Sequence, residues 1–236
     1  MQIRLDILRR KSAEQSPYLQ SILYIPADKN ETVATALTSI NNGGFKDTEG
    51  GEVTPISWEC SCLQKKCGAC AMVIGGVPRL ACDSKLNDFE RAGFVRIEPL
   101  RKFPVIADLR VDRSVMFDSL KQIKLWLDRE LSPNEKSLDT AYEASRCLQC
   151  GCCLEVCPNF YAGGSFFGMA AGVPMSKLLS QLEKGDRKAL AGEYKKHFYS
   201  GCGKSLSCKN VCPAGIETDR LMVNSNALAV WKRLFK

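Results

Sequence analysis

"CLQCGCCLEVCP", residues 147–158, returns in altered form as "CGKSLSCKNVCP", residues 202–213. Aligned on the shared Cys-Pro, Cys147, Cys150, Cys153 and Cys157 match Cys202, Ser205, Cys208 and Cys212. Cysteines at every third place before a Cys-Pro form the spacing in which thiolates hold iron–sulfur clusters. The repeat therefore sets the architecture of the second half of the chain. It also poses a question, because a serine stands where the pattern wants a cysteine.

The rest of the chain gives that serine its context. Thirteen cysteines accompany a single histidine among 236 residues, 45% of them apolar. Such a length buries a real core and favours two domains over one. Disulfide-stapled secreted domains are usually much shorter. The opening "MQIRLDILRRKS" has no apolar signal core, and the pair Arg9-Arg10 is followed by polar residues, unlike a twin-arginine signal. No apolar run approaches the roughly 18–20 residues of a membrane span. These features predict a soluble chain in a reducing compartment, with thiolates that bind metal.

The formal charge of +7 raises the question of nucleic acid. A bound metal centre's own charge belongs in the balance. Three clusters at about −2 each in the oxidised form bring the total to roughly +1. The basic residues then compensate buried anionic centres, and no nucleic-acid partner is expected.

Up to about residue 100 the pattern is β-rich. "IRLDIL" (3–8) alternates, "YLQSILYIP" (18–26) offers a second strand, and "ETVATALTSINNGG" (31–44) has helical spacing with a Gly-Gly stop. "ACAMVIGGVPRLAC" (69–82) reads as a hairpin around Gly75-Gly76, and "GFVRIEPL" (93–100) as a closing strand. The elements suit a small mixed sheet packed on one helix. Past 101–110 the pattern turns helical. "FDSLKQIKLWLDREL" (117–131) places Phe117, Leu120, Ile123, Leu127 and Leu131 on one face, and 175–185 and 218–236 are further helix candidates.

Three cysteine groups carry the chemistry. Cys62-x4-Cys67-x2-Cys70-x11-Cys82 has the spacing of plant-type [2Fe–2S] ferredoxins, with Gly68 allowing close backbone approach. A four-cysteine zinc site shares the Cys67–Cys70 pair, but the full spacing favours iron–sulfur. A Rieske centre needs two histidines, and no CxxC precedes a histidine as attached haem requires. In two-cluster bacterial ferredoxins the fourth cysteine of a run serves the other cluster. That crossing puts Cys147, Cys150, Cys153 and Cys212 around a [4Fe–4S] cube. Cys157, Cys202 and Cys208 then surround a second centre, with Ser205 at its fourth corner.

A serine hydroxyl gives up its proton far less readily than a thiol, whose pKa lies near 8.5. The expected product is a cube lacking one corner, a [3Fe–4S] cluster; a [4Fe–4S] cube with serine or water on one iron is the alternative. Pro158 and Pro213 are expected at first helical positions, with the following helix N-termini aimed at the clusters. Cys60 and Cys152 are left over and read as small buried hydrophobes, and His197 as a surface residue. The basic, aromatic "WKRLFK" at 231–236 reads as a docked helix end, with a membrane subunit or lipid surface as the other possibility.

In "CGACAMVIGGVPRLAC", "FPVIADLRVD" and "CLQCGCCLEVCPN", taken in this order, the chain resembles the iron–sulfur subunits of succinate dehydrogenase and fumarate reductase. The resemblance covers nearly the whole sequence. It implies an α+β architecture: a β-grasp plant-type [2Fe–2S] ferredoxin domain over 1–105, then an all-α bacterial-ferredoxin-like domain over 106–236. It also implies an electron-transfer subunit without substrate chemistry of its own, linking FAD in a flavoprotein to a quinone at a membrane anchor. Ubiquinone-linked members resemble one another in a histidine after the first cysteine of the last run, where this chain has Gly203. That departure implies menaquinone and a cytochrome b-type anchor with haem b, with the chain peripheral on the cytoplasmic face of the cell membrane. An iron–sulfur subunit of another quinone-linked or heterodisulfide-type reductase is the alternative, although such proteins usually complete both cysteine runs. A structural zinc protein is the alternative outside electron transfer.

Overall fold

Alternating apolar residues build β1 (Ile3–Arg9), with Ile3, Leu5 and Ile7 buried on one face. The computed structural model of the chain describes residues 2–126 and 135–231. β2 (Tyr18–Tyr24) lies antiparallel to β1, and α1 (Val33–Asn41) follows with Thr32 as its N-cap, accepting from the Thr35 amide at 3.2 Å. α1 buries Val33, Ala34, Ala36, Leu37 and Ile40. β3 (Ala71–Ile74) and β4 (Val77–Leu80) form the expected hairpin; Gly75 and Gly76, at φ +59° and +79°, supply its turn. β5 (Phe94–Glu98) runs parallel to β1 and completes the order β2-β1-β5-β3-β4. This is the mixed sheet with one main helix that the alternation predicts.

The chain divides into two compact units, Met1–Asp112 and Arg113–Lys236. The first unit also includes a small hairpin with no signal in the sequence pattern, β6 (Val105–Ala107) with β7 (Arg110–Val111). Its turn carries Asp108 at φ +44°, a conformation that Asp tolerates better than most residues. Asp108 is buried and grips the side chain of Arg9, 1% exposed, through Nε at 3.0 Å and Nη2 at 3.2 Å. It also accepts from the amides of Arg10 at 2.9 Å and Ser57 at 2.8 Å. Arg9 reaches Gln20 Oε1 and the carbonyls of Thr54 and Pro55. The pair thus fastens the end of β1 to the segment that leads into the first cysteine loop.

In the second unit, α2 (Ser114–Gln122), α3 (Leu138–Ser145), α4 (Cys152–Glu155) and α5 (Gly168–Gln181) are followed by α6 (Arg187–Tyr194). A π-helical turn (Lys195–Tyr199), α7 (Ser207–Asn210) and α8 (Thr218–Ala229) complete it. The long α5 is the hub, packing on α3, α4, α6 and α8. Small residues permit this: a Cβ on Gly172 would stand 2.6 Å from the Phe198 ring. Ser225 donates to Ser176 at 2.7 Å and Tyr194 to Asn226 Oδ1 at 2.9 Å, satisfying buried hydroxyls that link α8 to α5 and α6.

Three expectations change. The helix expected at 117–131 starts earlier and stops at Gln122, with Lys124 at φ +49° after it. Its core contacts are Met116 and Ile123, while Phe117 is exposed; Leu127 and Leu131 lie outside the described residues. Helix α5 begins seven residues before the expected 175 and carries Pro174 inside it. Neither Pro158 nor Pro213 opens a helix. Each follows its cysteine into a turn, closed by Phe160 N–H to Cys157 C=O at 3.3 Å and by Gly215 N–H to Cys212 C=O at 3.0 Å. Proline's fixed φ suits the second position of such a turn as well as it suits a helix start.

Replacing Asp108 with alanine strands the Arg9 guanidinium and two backbone amides. The expected loss is about 3–5 kcal/mol in the unit Met1–Asp112, measured as faster native-state hydrogen exchange across β1.

Candidate metal centres

The first three cysteines of the first group lie on a loop that winds without regular structure between Ser57 and Cys70. Leu63, Lys65 and Gly68 take positive φ, at +53°, +60° and +75°. Backbone amides thereby turn inward. Gln64 and Lys66 N–H each donate to Cys62 Sγ at 3.3 Å, and Lys65 N–H donates to Cys82 Sγ at 3.3 Å. The β3–β4 register brings Cys82 back beside Cys70, with their sulfurs 3.4 Å apart. Cys62 is likewise hydrogen-bonded to Cys67. An ion pair between Lys65 Nζ and Asp83, 2.6 Å, ties the loop to the hairpin end.

The sulfur environments differ in kind. The amides of Gln64 and Lys66 hold the Cys62 thiol down to about 7. Burial pushes the Cys70 thiol up to about 12. Cys60, expected to be buried, is exposed, because the loop spends its inward positions on Cys62, Cys67 and Cys70.

In the second unit the two repeats adopt the same local shape. Two and four places after each leading cysteine the backbone turns left-handed, at Gln149 (+50°) and Gly151 (+88°), then at Lys204 (+57°) and Leu206 (+57°). α4 and α7 start directly after Gly151 and Leu206. Between the repeats lie two adjoining cavities. One, about 420 Å³ including its opening to solvent, is lined by Cys147, Cys150, Cys153, Cys208 and Cys212. The other, about 460 Å³ including its opening, is lined by Cys153, Cys157, Cys202, Cys208 and Ser205. Cys153, Met169, Cys208 and Thr218 border both.

The two neighbouring hollows are ringed by sulfur. Among the described residues no three His, Cys, Asp or Glu side chains converge to hold a single ion. The sulfurs surround volumes instead, and an all-thiol donor set of that shape fits an iron–sulfur cluster. Burial raises the thiols of Cys147 (to about 11), Cys153 and Cys208. Cys150 is held down to about 7, first by a hydrogen bond from Cys152, whose fully buried thiol is pushed up in turn. Gln149 Nε2 donates to Cys147 Sγ at 3.3 Å, and Thr218 Oγ1 lies 3.5 Å from Cys208 Sγ.

Cysteine spacing alone did not point to Met169, Met222, Phe166, Phe198 or Thr218. Only the packing of α5, α8 and the π-helical turn puts them on cavity walls. His197, expected at the surface, is 2% exposed, stacks on Phe167 at 4.2 Å and bonds the Ser165 carbonyl through Nδ1 at 2.8 Å. The π-helical turn rotates it inward, where it secures the segment carrying Phe166. In the cluster-free chain, alkylation of Cys62 by iodoacetamide is expected to climb through about pH 7 and level off. Alkylation of Cys70 should still be climbing at about pH 10. Peptide mapping by mass spectrometry separates the two.

Comparison with known proteins accords with this geometry. Residues 4–118 match the 2Fe-2S iron-sulfur cluster binding domain family, and residues 143–216 match the 4Fe-4S dicluster domain family. The succinate dehydrogenase iron-sulfur subunit of Bacillus subtilis is 38% identical, the alignment spanning 91% of this chain and 87% of the relative. The fumarate reductase iron-sulfur subunit of Haemophilus influenzae is 29% identical over 91% and 88%. A chain of the Mycobacterium smegmatis Sdh1 complex in the apo form shares the fold, with a TM-score of 0.79 at 23% identity over 100% of this chain and 98% of that one. With both cluster domains present in order and identity sustained along the chain, the protein belongs to the succinate dehydrogenase and fumarate reductase iron–sulfur subunits, the electron-transfer components of those oxidoreductases.

Proposed function

We propose that Cys62, Cys67, Cys70 and Cys82 hold a [2Fe–2S] cluster, that Cys147, Cys150, Cys153 and Cys212 hold a [4Fe–4S] cluster, and that Cys157, Cys202 and Cys208 hold a [3Fe–4S] cluster. The series carries electrons one at a time between FAD in a flavoprotein subunit and menaquinone at a cytochrome b-type membrane anchor containing haem b. The chain is then peripheral, on the cytoplasmic face of the cell membrane. Among the described residues no helix is long and apolar enough to cross a membrane.

One observation carries the ligand assignment. Cys212, from the second repeat, lines the cavity of the first run, and Cys157, from the first repeat, lines the cavity of the second. The exchange is the one that two-cluster ferredoxins make. The 2+2 pairing of sulfurs in the first unit, Cys62 with Cys67 and Cys70 with Cys82, supports a two-iron centre there.

The chain's own groups do three things at these sites. Thiolates bind iron; inward amides of Gln64, Lys65 and Lys66 offset the negative charge on sulfur. Phe166, Met169, Phe198 and Met222 give the second-run cavity apolar walls. Ser205 stands on that cavity's rim, its Oγ accepting from Ser207 Oγ at 3.3 Å. A hydroxyl so placed is a poor iron ligand at neutral pH, which favours three irons over four.

Gly203 supports the menaquinone assignment. A Cβ there would stand 3.1 Å from Asn159 Nδ2, which donates to the Gly201 carbonyl at 2.5 Å. The amide of Asn159 occupies ground that a histidine at 203 would contest.

The decisive variant is Ser205→Cys. The wild-type complex, oxidised and at low temperature, is expected to give a three-iron EPR signal. The variant should lose that signal and gain about one iron per chain, with the altered centre becoming harder to reduce. No such signal from intact, iron-replete wild-type protein would contradict the assignment.

A further inference from the structure

A groove on the second unit is lined by Lys184, Arg187, Lys188 and Lys195, with Leu228 and Val230 forming an apolar side. It lies apart from the sulfur-ringed cavities, although the same elements serve both. The π-helical turn gives Lys195 to the groove and Phe198 to a cavity wall; α8 gives Leu228 to the one and Met222 to the other. We infer that this groove docks the phosphate headgroup of an anionic phospholipid, seating the chain on a negatively charged bilayer.

Four observations point that way. Lys184, Lys188 and Lys195 are exposed, and among the described residues none of them takes part in an ion pair. Some exposed cations elsewhere find partners, as Lys65 does with Asp83 and Lys209 with Asp219. Arg187 directs Nη2 to the Leu182 carbonyl at 2.7 Å, yet its buried Nε has no hydrogen-bond partner. A buried guanidinium N–H without an acceptor is costly, and an arriving phosphate oxygen satisfies it with a charge-assisted bond.

The groove's chemistry is also mixed. Free phosphate has no use for an apolar flank, whereas a lipid presents glycerol and acyl carbon beside its charge. Beyond Val230 the sequence continues "WKRLFK", with two aromatic residues and three more cations. Clusters of four to eight basic residues beside apolar ones are a recurring solution for binding anionic leaflets. The inference does not depend on which cluster each cysteine holds, and it stands or falls separately from that reading.

The test uses the full chain with its clusters and protein-free vesicles, either phosphatidylcholine alone or phosphatidylcholine with about three-tenths phosphatidylglycerol. Wild-type protein should sediment with the anionic vesicles and not with the neutral ones, and added salt should release it. A triple variant, Lys184→Ala, Lys188→Ala and Lys195→Ala, should bind anionic vesicles roughly ten- to a hundredfold more weakly. Its cluster absorption should be unchanged. A control removing three exposed cations from the first unit, Lys11→Ala, Lys29→Ala and Lys46→Ala, should bind as wild type does. Equal loss in the control would overturn the inference in favour of net charge. Undiminished binding by the first triple variant would overturn it in favour of another surface. Failure of the wild type to bind protein-free vesicles would overturn it in favour of an acidic protein partner.

Discussion

Everything else in the molecule accommodates one demand, that several sulfurs face inward around a space wider than a single ion. Neither helix nor strand can meet it, because both distribute successive side chains over different faces. The chain gives up regular structure at these points and turns left-handed at Leu63, Lys65 and Gly68, at Gln149 and Gly151, and at Lys204 and Leu206. Leu206 is the telling case. The first repeat uses glycine at the equivalent place, and a γ-branched residue accepts the strained conformation in the second because the loop must still be built. Thiolate–iron bonds repay that strain, which ties the folding of the cysteine loops to cluster assembly.

The two units meet the demand differently. In the first, a sheet carries the load: the β3–β4 register places Cys70 and Cys82 side by side, and the Arg9–Asp108 pair anchors the approach to Cys62. In the second, short helices α4 and α7 carry Cys153 and Cys208, while α5 and α8 supply apolar walls. Cys153, Cys208, Met169 and Thr218, shared between the two cavities, leave a thin partition rich in sulfur. Proximity of that kind suits electron transfer between neighbouring centres and needs no catalytic acid, base or nucleophile in this chain.

Much of this was legible in the sequence because cysteine spacing and strand alternation are local signals. Cys62 to Cys82 announced the loop-plus-hairpin, and the Cys-Pro repeat announced the paired runs. What escaped depends on packing. The burial of His197 follows from a π-helical turn that no periodicity reveals, and the exposure of Cys60 follows from the path of a loop. Pro158 and Pro213 enter turns, not helices, and the sequence does not distinguish these because one fixed φ serves both. The small β6–β7 hairpin was hidden because Asp108, read alone, gives no hint of its partner Arg9 far back along the chain.

The most direct measurement is chemical: iron, zinc and acid-labile sulfide in anaerobically prepared protein. The account predicts brown material with about nine irons and ten labile sulfides per chain, and negligible zinc. A colourless chain that holds zinc and releases no sulfide would contradict it.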